Sequence, residues 1–227
     1  MKVIKVSIIG SNSDLIQPLL NSENKYIQIQ KVSRADWNLE SPNIPLDLLD
    51  QISLFNPDQI LFAAAINNLT SITQDPKEIL NQIDEHMAIN FRSLLAISIS
   101  IQQLRSKPLK AIHVISSLYG IYGRKNRLPY VVSKHALEGA VKCLAIEYPE
   151  TQVLGYRPGF FESKLTDQNL SIQSKELISR KIPSGKLGLP EDLSNLLLHN
   201  ILYPSPYQTG TCITIDGGLT SGGIFDL

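Results

Sequence analysis

The sequence predicts a doubly wound α/β domain over residues 1–227, with a mostly parallel sheet and helices on both faces. Two observations carry that expectation. Short apolar, β-branched runs alternate along the chain with stretches of helical period. The first of these runs ends in a glycine turn that leads straight into a helix start. At 227 residues the chain is long enough for one such domain with a full core.

The elements follow in order. Lys2–Ile9 alternates and is β-branched, so MKVIKVSIIG reads as a first strand and, lacking a small-residue cleavage site, not as a signal peptide. Gly10 ends it, and SNSDLIQPLLN starts a helix with several candidate caps. A strand, a glycine turn and a helix N-terminus present free N–H groups to an anion. Gly10, Ser11, Asn12, Ser13, Asp14 and Leu15 are therefore candidate phosphate-binding residues. Tyr26–Val32 is a second strand, followed by Ser33 and Arg34, with no carboxylate until Asp36. A hydroxyl and a guanidinium suit a phosphate.

The interval from Arg34 to the next strand, Asp58–Ile66, has room for one helix over about Pro45–Phe55. A long helix is expected over Asp75–Arg105, with Asp75 as cap and Pro76 in the first turn. Asn90 lies within its apolar face and needs a polar partner. Ala111–Ile115 reads as a buried strand, Tyr130–Glu147 as a helix, and QVLGY as a further strand. Leu165–Ser184 is polar with a helical middle. In and beside it, Lys164, Lys175, Arg180 and Lys181 are cations that can meet an anionic group.

Composition excludes several classes. Net charge is +0 with no basic run, which argues against nucleic acid and anionic membrane surfaces as partners. No stretch reaches the roughly eighteen uncharged apolar residues of a membrane span. Cys143 and Cys212 are read as buried thiols, and the 4 histidines show no metal spacing, so no metal is expected. A soluble cytoplasmic enzyme fits.

The chemistry concentrates in ISSLYGIYGRKNRLPYVVSK. Ser116 and Ser117 end an apolar run, Tyr130 follows Ser117 by thirteen residues, and Lys134 follows Tyr130 by four. With Tyr130 in the first helical turn, Lys134 lies one turn on along the same face. A lysine beside a phenol favours the phenolate and lowers its pKa, and Ser117 at the strand end can bond the same substrate oxygen. Ser116 is the fallback if the strand ends one residue earlier. Such a set moves a proton on and off a carbonyl or alcohol while a cofactor moves the hydride. Tyr119, Tyr122, Arg124 and Phe160 are candidate pocket residues by nearness in sequence.

This stretch resembles the short-chain dehydrogenase/reductase superfamily, whose site is Ser, Tyr and Lys with an Asn from the preceding helix. HMAINFRSLLAI resembles the Asn-bearing helix, with Asn90 in place. YRPGFFES resembles the proline-glycine turn, and KIPSGKLGLPEDLSNLLLHNIL with TGTCITIDGG resembles the C-terminal helix, last strand and Asp-Gly-Gly. The resemblance implies catalysis by Asn90, Ser117, Tyr130 and Lys134, with Asn90 partnered through water and the lysine. It implies a cofactor held by Gly10–Leu15, Ser33, Arg34 and Asp36, by Ala63, Ala64 and Ala65, and by Tyr130 and Lys134. Pro158, Gly159, Ser163 and a Phe161 backbone group complete that set beside the nicotinamide. The resemblance also implies a substrate lid over about residues 164–185. Arg34 in place of an acidic residue points to NADP, with NAD possible.

The chain departs from the family in places. Only Gly10 matches the G-x-x-x-G-x-G turn, Asp14 and Ile16 filling the other two positions, so negative charge and a wider helix–strand gap are expected there. The Asn-Asn-Ala-Gly segment reads Ala63, Ala64, Ala65, Ile66, which removes sheet-bracing asparagines. The compressed interval implies a lost or shortened edge strand, with Asp36 and Trp37 at the adenine. The expected partners are a small carbonyl or alcohol substrate and a second copy, in a homodimer or homotetramer. Two alternatives stay open: a reductase of sugars or sugar nucleotides, and a cofactor-binding regulatory or assembly protein with little turnover. The chain ends about ten residues after Gly218, without room for the large C-terminal substrate domain of nucleotide-sugar epimerases.

Overall fold

Six β-branched runs form six parallel strands in a computed structural model that describes residues 2–41 and 43–222. They are β1 (Ile4–Ile9), β2 (Ile27–Val32), β3 (Gln59–Phe62), β4 (Ala111–Ile115), β5 (Gln152–Pro158) and β6 (Thr211–Ile215), in the order β2-β1-β3-β4-β5-β6. Every neighbouring pair is parallel, so the sheet is parallel throughout. β3 and β4 are buried along their whole length, which is why they read as unbroken apolar runs. The order reverses between β1 and β3, and ligands of such sheets bind beyond the strand ends at that reversal.

The helices are α1 (Gln17–Leu20), α2 (Leu46–Phe55), α3 (Pro76–Met87), α4 (Ser93–Leu104), α5 (Leu128–Glu147), α6 (Lys164–Asn169), α7 (Ile172–Lys181) and α8 (Pro190–Leu202). Leu48 and Ile52 of α2, Leu94 and Ile97 of α4, and Leu137 and Val141 of α5 cover one face of the sheet. Leu19 of α1 with Leu193, Leu197 and Ile201 of α8 cover the other. The expected loss of an edge strand holds: between β2 and β3 the described residues form one helix and turns, and β2 is the edge.

Two helices differ from expectation. The helix after Gly10 is only a 3-10 turn, Asp14–Ile16, followed by the four residues of α1. Ile16, where the family has glycine, is fully buried in one cluster with Leu193 and Leu197. The long helix expected over Asp75–Arg105 is α3 and α4 joined by a π-helical turn at Ala88–Arg92, which contains Asn90. Such turns widen a helix by one residue and recur at functional sites. Of the two cysteines read as buried, Cys143 is exposed on α5, while Cys212 on β6 is half-buried. No helix among the described residues is long and apolar enough to cross a membrane.

A buried polar chain crosses the sheet. His113 Nδ1 lies 2.9 Å from the Tyr156 hydroxyl and Nε2 lies 2.9 Å from Gln59 Oε1. Gln59 Nε2 donates to the Ile201 carbonyl at 3.0 Å, so Oε1 must accept, which assigns the proton to His113 Nε2. Burial lowers the imidazole pKa to about 4. The unfolded chain therefore binds one more proton than the native chain between that value and the ordinary value near 6.5. Stability is full above pH ~6.5, falls as pH drops towards ~4, and the loss levels off at roughly 3 kcal/mol. Urea unfolding across that range measures it, and His113→Gln is expected to flatten this limb.

Candidate active site

α5 starts with Pro129 in its first turn, which suits a residue without an N–H and sets Tyr130 and Lys134 one turn apart. Both are buried, at 6% and 1% exposure. Lys134 Nζ donates to the Ile115 carbonyl at the end of β4 at 2.9 Å and lies 5.7 Å from the centroid of the Tyr130 ring. The chain leaves β4 through Ser116 and Ser117 into a 3-10 turn, Leu118–Gly120. Ser117 Oγ accepts from the Tyr119 N–H at 3.2 Å, and the Tyr119 ring meets Tyr130 edge-on at 6.1 Å. Ser116 donates instead to Glu138 Oε1 at 2.8 Å. Of the two serines, Ser117 is therefore the one beside the phenol.

The electrostatics differ from the sequence expectation. Burial raises the Tyr130 phenol to about 12, against which a Ser117 hydrogen bond works, as does the nearby charge of Arg127. Burial also lowers Lys134 to about 7, opposed by Glu138. The cation that works against the rise of the phenol is thus Arg127, where the spacing had pointed to Lys134.

Asn90 is fully buried in the π turn, and its side chain is spent on protein. Oδ1 accepts from the Ile66 N–H at 2.8 Å, and Nδ2 donates to the Ile66 carbonyl at 3.0 Å and to Ser133 Oγ at 2.9 Å. Lys134 is thus not a partner of this side chain. Asn90 braces the segment after β3 against α5, so the bracing expected to vanish with the Asn-Asn motif is supplied from the opposite side.

A groove of about 290 Å³ runs along the C-terminal ends of β1 and β3. Gly10, Asn12, Ser13, Asp14 and Leu15 line it on one side, Ala63, Ala64 and Ala65 on the other. Arg34 stands at one end, and Tyr130, Lys134 and Ser163 at the other. Gly10 has φ +82, and a Cβ there would lie 2.5 Å from the Ala64 nitrogen, so only glycine fits. Ser11 is buried beneath the loop, its N–H donating to the Val32 carbonyl at 3.2 Å. Gln17 braces the loop from below, its Nε2 donating to the Ser11 and Ser13 carbonyls at 2.9 and 3.1 Å.

The Asp14 carboxylate does not stand free beside this loop. It accepts from the Lys164 N–H at 3.0 Å and lies 3.5 Å from the Lys164 ammonium, tying the loop to the start of α6. Lys175 pairs with Asp167 and Glu162, so of Lys164, Lys175, Arg180 and Lys181 two are engaged by the chain's own carboxylates.

At the end of β2, Asp36 folds back. Its Oδ2 accepts from the Ser33 N–H at 2.7 Å and from the Ser33 hydroxyl at 2.8 Å, which holds the carboxyl below its usual range. Ser33 is therefore not a free donor, and neither Ser33 nor Asp36 lines the groove. Trp37, expected at the adenine, is 1% exposed in the core with Leu48 and Ile52. Leu39 takes the groove-lining place.

A second cavity of about 300 Å³ adjoins the groove and shares Leu15, Ser116, Tyr130 and Ser163 with it. Ser117, Tyr119, Arg124, Phe160 and the Pro158–Gly159 turn line it, whereas Tyr122 lies outside. Phe161 pairs with Gly188 through a parallel bridge, in which Gly188 donates to the Phe160 carbonyl and accepts from the Glu162 N–H, both at 2.9 Å. That pattern leaves the N–H and carbonyl of Phe161 itself directed away from Gly188. Ser163 caps α6, accepting from the Thr166 N–H at 3.2 Å.

Arg127, Gln17 and Glu138 are the residues sequence reasoning missed. Arg127 had a faint signal, a cation placed at the positive start of a helix. Glu138 had none, since its partner Arg157 lies on another element.

The parallel sheet, the groove at its point of reversal and the Ser-Tyr-Lys group beside it define a nucleotide-dependent oxidoreductase of the short-chain dehydrogenase/reductase family, to which the chain belongs. A family model described as enoyl-(acyl carrier protein) reductase matches residues 57–220. The chain is similar to 3-oxoacyl-(acyl-carrier-protein) reductase FabG of Rickettsia bellii, 30% identical over 94% of this chain and 86% of that one. Among solved structures it resembles a gluconate 5-dehydrogenase from Burkholderia cenocepacia in complex with NADP and tartrate, at TM-score 0.79 and 16% identity, covering 98% and 97% of the two chains. A 4-hydroxyisoleucine dehydrogenase complexed with NADH superposes at TM-score 0.80 and 22% identity, covering 96% and 99%. At these identities the structures speak for the fold.

Proposed function

We propose that the chain catalyses the NADP-dependent, reversible reduction of a ketone or aldehyde to an alcohol. The observation that carries this reading is the junction of the two cavities, where Ser117, Tyr130 and Lys134 meet a groove whose glycine loop excludes a Cβ. A bound nicotinamide dinucleotide supplies the hydride. Gly10–Leu15, Arg34 and Ala63–Ala65 hold it, with Pro158, Gly159, Phe161 and Ser163 at its far end.

Tyr130 donates its phenolic proton to the carbonyl oxygen as reduction proceeds and takes it back in oxidation. Its raised pKa keeps it in the donor form at neutral pH, which suits reduction. Ser117, whose hydroxyl hydrogen-bonds the phenol, donates to the developing oxyanion as that phenol gives up its proton. Lys134, brought by burial to about 7, exchanges protons near neutral pH and returns one to Tyr130. Asn90 is a positioning residue that fixes Ser133 and Ile66. The lid of α6 and α7 closes over the substrate. The enzyme works in the cytoplasm as a homodimer or homotetramer, joined through the apolar outer positions of α4 and α5, Ile99, Val132 and Ile146. The printed activity of the curated relatives makes a 3-oxoacyl thioester the first substrate to try.

The folded-back Asp36 supports a second reading, NAD, because it places a carboxylate at the end of β2 and occupies Ser33. Titration with NADPH and NADH, followed by nicotinamide fluorescence, separates the two. Arg34→Ala is expected to weaken NADPH roughly tenfold, the loss of one charge-assisted contact, and to leave NADH within about twofold. Tighter NADH binding by the wild type, unmoved by Arg34→Ala, would assign NAD as the cofactor instead.

A further inference from the structure

We propose that the substrate carries a carboxylate close to its carbonyl and that Arg127 receives it. The proposal rests on the reductase reading and narrows its substrate class. Arg127 is 7% exposed, precedes the first turn of α5, and lines the substrate cavity together with Tyr130. Nη1 donates to the Asn67 carbonyl and Oδ1, both at 2.8 Å, and Nη2 donates to Asn169 Oδ1 at 2.7 Å. All three acceptors are neutral, and no carboxylate forms an ion pair with Arg127 among the described residues. A buried guanidinium without a counter-charge is costly, and a neutral amide would suffice to tie Asn67 to Asn169.

The donor count points to the missing group. A guanidinium has five N–H donors, and three bonds are made. The two left over match the two oxygens of a carboxylate. The surroundings favour an anion as well. Arg127 is the N-cap of the twenty-residue α5, where the helix end is positive and a cation is unfavourable. Arg124 and Lys125 line the same cavity. The preceding Asn126 sits at φ +59, a left-handed conformation that non-glycine residues seldom adopt. Thr70 holds that turn, its N–H donating to the Asn126 carbonyl at 3.0 Å. The charge is thus fixed by backbone at the substrate's end of the site. Because Arg127 and Tyr130 line one cavity, the site selects a short 2-oxo or 3-oxo acid, and a thioester offers the guanidinium no charge to bind.

The test compares short 2-oxo and 3-oxo acids with their methyl esters as NADPH-dependent substrates of wild type, Arg127→Gln, Arg127→Lys and Tyr130→Phe. In parallel, the matching hydroxy acids and hydroxy esters are scored for thermal stabilisation of the NADPH-loaded wild type. Wild type is expected to prefer acid over ester by at least about tenfold in kcat/KM, the worth of a charge-assisted contact. Arg127→Gln should bring that ratio to about one, Arg127→Lys should keep part of it, and Tyr130→Phe should depress both substrates alike. Hydroxy acids should stabilise the wild type and hydroxy esters should not. Equal use of acid and ester by wild type, or a preference that survives Arg127→Gln, overturns the proposal and leaves the reductase intact. If neither series is turned over, the reductase reading fails for oxo acids, and absence of stabilisation by the hydroxy acids overturns the proposal as well. If Arg127→Gln does not fold, the wild-type ratio and Arg127→Lys decide.

Discussion

Tyr130→Phe is expected to lower kcat/KM for carbonyl reduction by about 10²–10⁴-fold, the range for loss of a positioned proton donor. The change removes one hydroxyl and keeps the ring, so the edge contact with Tyr119 and the packing under α5 survive. NADPH affinity should stay within about twofold, because Tyr130 is one of many groups along the groove. Thermal stability should change little, since the hydroxyl faces the cavity and its nearest protein influence, Ser117, retains the Tyr119 N–H. Steady-state kinetics with a cofactor titration on the same preparation checks all three. A loss confined to KM would mean that the phenol binds substrate without donating a proton.

Glu138→Ala is expected to cost about 3–5 kcal/mol of stability, because it breaks a buried ion pair from one side only. Arg157 Nε donates to Glu138 Oε1 at 2.7 Å and Nη2 to Oε2 at 2.6 Å, a bidentate pair with side chains 18% and 5% exposed. Ser116 shares Oε1, and Arg157 Nη1 also donates to the Cys212 carbonyl at 3.1 Å. One carboxylate therefore ties α5 to β5, β6 and the turn that carries Ser117. Gly120 belongs to the same arrangement, since a Cβ there would lie 2.2 Å from Oε1. Glu138→Ala strands a guanidinium and a hydroxyl. The double variant Glu138→Ala with Arg157→Met removes both charges and should recover a good part of the loss. Urea unfolding of the cycle measures it, and a single-variant cost below about 1 kcal/mol would contradict this account.

Much of the frame was legible in the sequence because local pattern decides it. The strands are short β-branched runs, and the vanished edge strand follows from an interval with room for α2 alone. Pro129 marked the start of α5 and so set the spacing of Tyr130 and Lys134. What could not be read depends on contacts between distant segments. Trp37 was expected with Asp36 at the adenine, but with no strand between β2 and β3 its large side chain packs in the core with Leu48 and Ile52 of α2. Asn90 was singled out correctly as buried and polar, yet its partners, Ile66 and Ser133, come from two other elements. The reversed pKa relation of Tyr130 and Lys134 is likewise invisible in a Y-x-x-x-K spacing. Spacing reports their nearness and carries no information on how far each is taken from water. Asp14 looked like a liability at a phosphate loop until α6 supplied Lys164 to meet it.

The central claim is that a hydride passes from a nicotinamide held in the groove to a carbonyl beside Tyr130. Its most direct test follows an isotope. NADPH deuterated at both positions of nicotinamide C4 is incubated with the wild type and a panel of oxo acids, esters and 3-oxoacyl thioesters, and the products are examined by mass spectrometry. One deuterium is expected on the carbinol carbon of at least one product, formed about 10²–10⁴-fold more slowly with Tyr130→Phe. Saturable NADPH binding with no deuterium transferred to any member of the panel would contradict it.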